Sequence, residues 1–173
     1  TLPGFDSQRK MFPITRLDKQ LEVPDDAKKC AVLILLYQKN EQLNLCFIKR
    51  SIDGGVHSGQ ISFPGGKKEH TDSDLIYTAL RETQEEIGAE ASKISILGTL
   101  STLYIPVSNY SVVPVVGYCN HNPEFTINKN EVEKLIEVPL VYIIDQQNCL
   151  SGPIEVNGNK FDVPYYGVNE HKI

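Results

Sequence analysis

Gly65-Gly66-Lys67-Lys68-Glu69, running on through residues 70–80 into Arg81-Glu82-Thr83-Gln84-Glu85-Glu86-Ile87-Gly88, is the stretch on which the reading of this chain turns. Leu75, Ile76, Ala79, Leu80, Thr83 and Ile87 recur at spacings of three and four, the period of an amphipathic helix. The spacing predicts a helix over 73–87, with Asp72 or Ser73 as its cap and Asp74 favouring its first turn. Gly88 stands where a helix-terminating glycine belongs. At about 100° per residue, Glu86 lies about 40° round from Glu82 and Glu85 about 60° to the other side, so the three carboxylates share one face. Like charges at this spacing destabilise an isolated helix by about 0.2–0.5 kcal/mol per pair. The run therefore reads either as a solvated acidic face or as oxygen ligands for a hard divalent cation such as Mg²⁺ or Mn²⁺. The glycine-rich loop feeding the helix favours the ligand reading, because its exposed backbone groups stand near the carboxylates. Arg81, beside Glu82, is placed to hold one of them by a charge-assisted hydrogen bond.

Outward from this segment the pattern changes to strands. Cys30–Tyr37 is continuously apolar, as for a strand covered on both faces, and Leu43–Arg50 follows across a Lys39-Asn40-Glu41-Gln42 hairpin loop. Residues 51–72 read as loop. Further strands are expected at Ile94–Tyr104, broken near Gly98, at Val112–Cys119 and at Glu131–Val138. Pro139–Asp145 reads as a short helix, and Asn157-Gly158-Asn159 as a hairpin turn between Ile154–Val156 and Phe161–Tyr165. Strands on both sides of a central helix indicate one mixed α/β domain over 30–173. Residues 1–29, with Met11-Phe-Pro-Ile-Thr-Arg16 as their apolar anchor, read as an arm lying on that domain.

With 173 residues, 40% hydrophobic and 23% charged, the chain has an ordinary globular composition and is large enough to bury a core. Low-complexity and wholly disordered readings are excluded, and no apolar run approaches the roughly 20 residues of a membrane-spanning helix. Seventeen basic against 22 acidic residues give a net charge of −5. No basic stripe points to nucleic acid. Phosphorylated substrates stay accessible to an acidic protein if a cation mediates. The four cysteines form no paired motif; Cys30 and Cys46, inside apolar runs, read as reduced core thiols, fitting a reducing cytoplasm, and a monomer or homodimer is expected. The first residue, Thr1, reads as a trimmed start, and no signal-peptide pattern follows it.

Gly66 through Ala89 resembles the Nudix box, G-x5-E-x7-R-E-U-x-E-E-x-G-U with U a bulky aliphatic. Arg81-Glu82-x-x-Glu85-Glu86-x-Gly88 matches its core without a gap. There is one extra residue before Arg81, Thr83 and Ala89 replace aliphatics, and Ser73 stands where the box has glutamate, with Asp72 as the substitute. The longer spacing, with His57-Ser-Gly-Gln-Ile-Ser-Phe-Pro-Gly-Gly66, resembles the coenzyme A diphosphatase branch. The likeness extends over Met11-Phe-Pro, Tyr104-Ile-Pro-Val-Ser108, Val138-Pro-Leu140 and Val163-Pro-Tyr165, most of the chain. Two features depart from the branch. Gly55 stands where its motif has an arginine, so a basic contact is missing or is supplied by Lys49, Arg50 or Lys67. The branch also continues past the segment like Glu170-His-Lys-Ile173 into a terminal helix; without that helix one sheet face is expected to be exposed.

The resemblance implies an α/β/α sandwich, a mixed sheet between helices, that hydrolyses the diphosphate bond of a nucleotide-type small molecule. Glu82, Glu85, Glu86 and the Gly66 carbonyl would bind Mg²⁺ or Mn²⁺. Glu82, oriented by Arg81, would alternatively touch the attacking water. Glu131 is the candidate distant ligand or base, against a surface glutamate as the bland alternative. His57, Ser58, Gln60, Gly65 and Lys67 would contact substrate, and Tyr104 and Tyr110 are either stacking or packing residues. Coenzyme A, cleaved to 3′,5′-ADP and 4′-phosphopantetheine, is the expected substrate. NADH or ADP-ribose is the alternative, and a non-catalytic nucleotide-binding module is a further one.

Overall fold

The computed structural model describes residues 7, 8, 10, 22–156 and 159–173. Most of the arm expected over 1–29, including its Met11–Arg16 anchor, lies outside them, as do Asn157 and Gly158 of the expected hairpin turn.

The central strand β1 (Lys28–Lys39) runs parallel to β7 (Tyr110–Cys119) and antiparallel to β2 (Gln42–Arg50), which makes the sheet mixed. The two-residue turn at Asn40 and Glu41 takes positive φ at both positions (51° and 62°), the geometry a tight hairpin needs. Outward from β2 come β3 (Ile61–Ser62) and β8 (Val132–Pro139); beyond β7 come β5 (Ser95–Thr99) and β6 (Leu103–Ile105). The break expected near Gly98 is a register shift between Ile96 and Gly98 in the β5–β7 pairing. β4 (Gly65–Lys67) adds to β1 from the glycine-rich loop.

Alternation along β1 sorts its side chains into two cores. Ala31, Leu33, Leu35 and Tyr37 are fully buried, and they pack with Ala79 and Ile87 of the helix α1 (Leu75–Ile87). The other face receives Leu36 among Leu45, Phe47, Ile136 and Val138, covered by Leu140, Tyr142 and Ile143 of the short helix α2 (Leu140–Ile144). Helices therefore lie on both faces of the sheet, the expected sandwich. Strands β9 (Cys149–Val156), β10 (Asn159–Val168) and β11 (His171–Lys172) form a separate antiparallel sheet, and Val168 and Ile173 pack against the second core. Cys30, Cys46 and Cys119 are buried thiols. Among the described residues no helix is long and apolar enough to cross a membrane.

Helix α1 starts later than its apolar spacing implies. Asp74, held in extended backbone, is the cap: its carboxylate accepts the Tyr77 N–H at 2.8 Å. The expected caps, Asp72 and Ser73, lie before it, and Asp72 is thereby left for another role. Gly88 closes the helix in the left-handed conformation (φ 72°), its N–H donating to the Gln84 carbonyl. Thr83, where the Nudix box carries an aliphatic, is fully buried; its hydroxyl donates to the Ala79 carbonyl at 2.7 Å, which leaves no orphaned polar atom in the core.

Candidate active site

The glycine-rich loop is pinned to the centre of the sheet. Cys30, Ala31 and Val32 pair with Lys67, Gly66 and Gly65, and the Leu33 N–H donates to the Pro64 carbonyl at 2.8 Å. This brings the loop so close that a side chain at Gly65 would run into backbone and one at Gly66 would have to displace the Glu82 carboxylate. A Cβ on Gly65, whose φ is +148°, would lie 2.3 Å from the Ala31 carbonyl oxygen, and one on Gly66 would lie 2.5 Å from the Glu82 carboxylate. Backbone and carboxylate are thus in direct contact across the loop and the helix.

A cleft of about 1010 Å³ opens over this junction. Its lining includes Glu82, Glu86 and Glu131 together with the cationic residues Arg50 and Lys67. Glu86 is not on a solvated face: its side chain is only 1% exposed. One of its oxygens accepts the Gly65 N–H at 2.8 Å, and the other faces Arg50 Nη1 at 3.3 Å. Burial pushes its carboxyl from the ordinary 4.5 up to about 7, against the opposing pull of the Gly65 N–H and Arg50; the charges of Glu82 and Glu131 push it further up. Burial likewise raises Glu82, with Glu85 and Glu131 adding to the effect and Arg81 opposing it.

Glu131 arrives there through the capping of α1. The Glu86 and Ile87 carbonyls at the helix end accept the Asn128 and Thr126 N–H groups, both at 2.9 Å. The turn that follows carries Glu131, whose backbone carbonyl accepts the Ser51 N–H.

Arg81 is the organiser beside the cleft. It donates to Asp72 through Nε (2.9 Å) and Nη2 (3.0 Å), to Glu82 at 3.0 Å, to Glu85 at 2.9 Å and to the Lys67 carbonyl at 3.1 Å. Asp72 is buried and also accepts from Thr78 Oγ1 and the Glu69 N–H, and its carboxyl is held well below the usual range by Arg81. Glu85, by contrast, is half exposed and is not among the residues lining the cleft. Glu82, Glu85 and Glu86 thus leave one helix into different surroundings. Arg81 draws Glu85 to its own side while the tertiary fold buries Glu86. Among the described residues no three acidic, histidine or cysteine side chains converge on one point at ligating distance. The acidic side chains of the cleft, Glu82, Glu86 and Glu131, offer oxygen donors, the kind a hard divalent cation takes.

The expected substrate contacts fall on one wall. His57, Ser58, Gln60, Gly65 and Lys67 all line the cleft. His57 Nδ1 meets Gln60 Oε1 at 2.9 Å, its ring lies 5.7 Å from that of Tyr110, and its Nε2 is buried with no hydrogen-bond partner. Ser58 Oγ accepts the N–H groups of Asp53 and Gly54 and so shapes its own loop. The Gly65 N–H is taken by Glu86. Lys67 Nζ lies 5.4 Å over the Tyr110 ring, placing Tyr110 between Lys67 and His57 in the wall. Of the three cations considered as replacements at Gly55, Lys49 is paired with Glu133 at 2.6 Å and lies outside the cleft lining, while Arg50 and Lys67 line it. The Arg50–Glu86 pair has no local sequence signal, because 36 residues separate its members.

Comparison with known proteins adds four findings. The family model described as NUDIX domain matches residues 27–143. Nudix hydrolase 15, mitochondrial, of Arabidopsis thaliana is 34% identical over 142 residues, covering 80% of this chain and 50% of that protein; this chain thus spans half that relative's length. An uncharacterized Nudix hydrolase, NudL, of Yersinia pestis (strain Pestoides F) is 38% identical over 138 residues, covering 73% of this chain and 68% of its own. Among solved structures, the C. elegans Ap4A hydrolase binary complex superposes with a TM-score of 0.55 at 18% identity, over 65% of this chain and 80% of that one, a likeness of fold.

Proposed function

The chain belongs to the Nudix hydrolase family, and on that premise we propose that it hydrolyses the diphosphate bond of a nucleoside diphosphate derivative with Mg²⁺ or Mn²⁺ bound. The observation that carries this reading is the gathering of Glu82, Glu86 and Glu131 with Arg50 and Lys67 in one cleft over a loop whose Gly66 lies against the Glu82 carboxylate. Glu82, Glu86 and the Gly66 carbonyl would hold the cation, with Glu85, paired with Arg81, the further candidate ligand. A bound divalent cation neutralises diphosphate charge and acidifies water. Water attacks one phosphorus and the bridging P–O bond breaks toward the second phosphate. Glu131 or Glu82 takes the proton from the water, and Arg81, anchored by Asp72, keeps Glu82 aimed. His57, Gln60 and Lys67 face the substrate, and Ser58 and Gly65 shape the wall that meets it.

Coenzyme A or an acylated derivative is the substrate we favour, cleaved to 3′,5′-ADP and a 4′-phosphopantetheine product. The support is the His57–Gly66 stretch typical of that branch, which lies along the cleft. With Gly55 in place of the branch's arginine, Arg50 and Lys67 are the cations at hand for the substrate's phosphates. Turnover of coenzyme A, NADH and ADP-ribose by the pure protein with Mg²⁺ or Mn²⁺ tests this. Faster hydrolysis of coenzyme A is expected; equal or faster hydrolysis of ADP-ribose overturns the choice of substrate. Glu86→Gln is expected to keep the fold and lose activity by orders of magnitude. Near-normal activity in that variant removes the metal-ligand role.

A further inference from the structure

Arg50 is the cleft cation whose present partner is itself a candidate metal ligand. It ends β2 where the pairing with β8 shifts register between Lys49 and Arg50, an irregularity that re-aims a side chain. Among the described residues its side chain forms one ion pair, to Glu86. That pair is asymmetric. The Arg50 side chain is 31% exposed while Glu86 is 1% exposed, so the guanidinium reaches in from solvent to a carboxylate that cannot reach out. The second Glu86 oxygen is fixed by the Gly65 N–H. The oxygen facing Arg50 is therefore the one through which Glu86 can meet any other cation. Arg81 cannot do the same work, since Asp72, Glu82, Glu85 and the Lys67 carbonyl already occupy it.

Resting on the hydrolase reading above, we propose that Arg50 is the placeholder on Glu86. It neutralises that carboxylate until a divalent cation takes the oxygen it faces, and it then turns to the diphosphate. A guanidinium keeps its charge at any working pH, so it cannot vacate the site by deprotonation, and it repels a divalent cation on the same oxygen. Binding of the ion and of Arg50 at Glu86 is thus competitive. Once displaced, the guanidinium stays in the cleft beside Lys67, where its planar fork matches phosphate oxygens. Metal loading and substrate grip are thereby coupled through one side chain.

Calorimetric titration of Mn²⁺ into the metal-free chain, without substrate, tests the competition. Arg50→Met is expected to bind Mn²⁺ roughly fivefold tighter or more than the unmodified protein, a coupling of ordinary allosteric size. Arg50→Lys, which keeps the charge, is expected to fall nearer the unmodified protein. With Mn²⁺ saturating, Arg50→Met is expected to bind methylenediphosphonate, a diphosphate that water cannot cleave, roughly tenfold more weakly. In the unmodified protein, the Arg50 Nε–H resonance is expected to move on addition of Mg²⁺ and again on addition of methylenediphosphonate. Unchanged or weaker Mn²⁺ binding by Arg50→Met overturns the proposal, as does equal tightening by both variants or an Arg50 resonance indifferent to Mg²⁺. Unchanged methylenediphosphonate binding overturns the transfer to substrate. Absence of Mn²⁺ binding by the unmodified protein instead sinks the hydrolase reading itself, so the two failures are distinct.

Discussion

Replacing Glu86 by glutamine is expected to stabilise the metal-free protein by an amount that grows with pH. The native carboxyl is raised from 4.5 to about 7, chiefly by burial. The sign follows from linkage: the unfolded chain releases this proton near its ordinary pKa, the folded chain only near 7, so the folded state loses stability as pH rises between the two. Each unit of displacement corresponds to about 1.4 kcal/mol, which sets a ceiling of about 3 kcal/mol above pH 7. Between pH 5.5 and 8 the unmodified protein is expected to lose about 2 kcal/mol that Glu86→Gln does not. Constant effects of the substitution, such as altered packing, cancel in this difference, while the attraction to Arg50 is already contained in the native pKa. For a chain of this size the gap in melting temperature widens by about 4–8 °C over that range. Calorimetric melts of both proteins in EDTA at several pH values measure it. A gap that stays constant to within about 0.5 kcal/mol, the scatter of neutral surface changes, refutes the reasoning: Glu86 would then ionise in the fold without penalty.

Three further substitutions probe the neighbouring parts. Asp72→Asn removes the charge that Arg81 grips through two nitrogens and is expected to cost about 3 kcal/mol, a fall of about 6–12 °C in melting temperature. Because this carboxyl is held below its ordinary range, its contribution is present above about pH 4 and fades as pH falls toward the native value, so the two proteins converge in acid. Gly66→Ala sets a methyl against the Glu82 carboxylate and is expected to lower turnover roughly 100-fold through misplacement of that group, read beside a melting curve that moves far less. Thr83→Val is expected to change stability by less than about 1 kcal/mol in a urea melt, since the lost hydrogen bond goes only to a carbonyl of the preceding helical turn.

Much of the site was legible along the chain because its parts are close in sequence. The Arg81–Glu82 contact and the stop at Gly88 are short-range. Asp72 was recognisable as the substitute for the box glutamate, but its partner was not: assigned as a possible cap, it instead lies buried against Arg81 while Asp74 caps the helix. Helical angles treated Glu82, Glu85 and Glu86 alike. An angle around a helix carries no information about what packs there, and α1 presents Glu86 to the core edge and leaves Glu85 in solvent.

Periodicity and glycine spacing alone determined that a strand-flanked helix would carry carboxylates beside a tight loop, since helical period and backbone sterics act over a few residues. Tertiary structure decided which carboxylates share a cleft, which cation faces each, and how far their acidities move. Glu131 reaches Glu86 because distant N–H groups satisfy the last carbonyls of α1, and Arg50 reaches it because β2 ends beside the loop. Charge interactions and burial depend on distance through space, and only the folded sheet brings these residues within that distance.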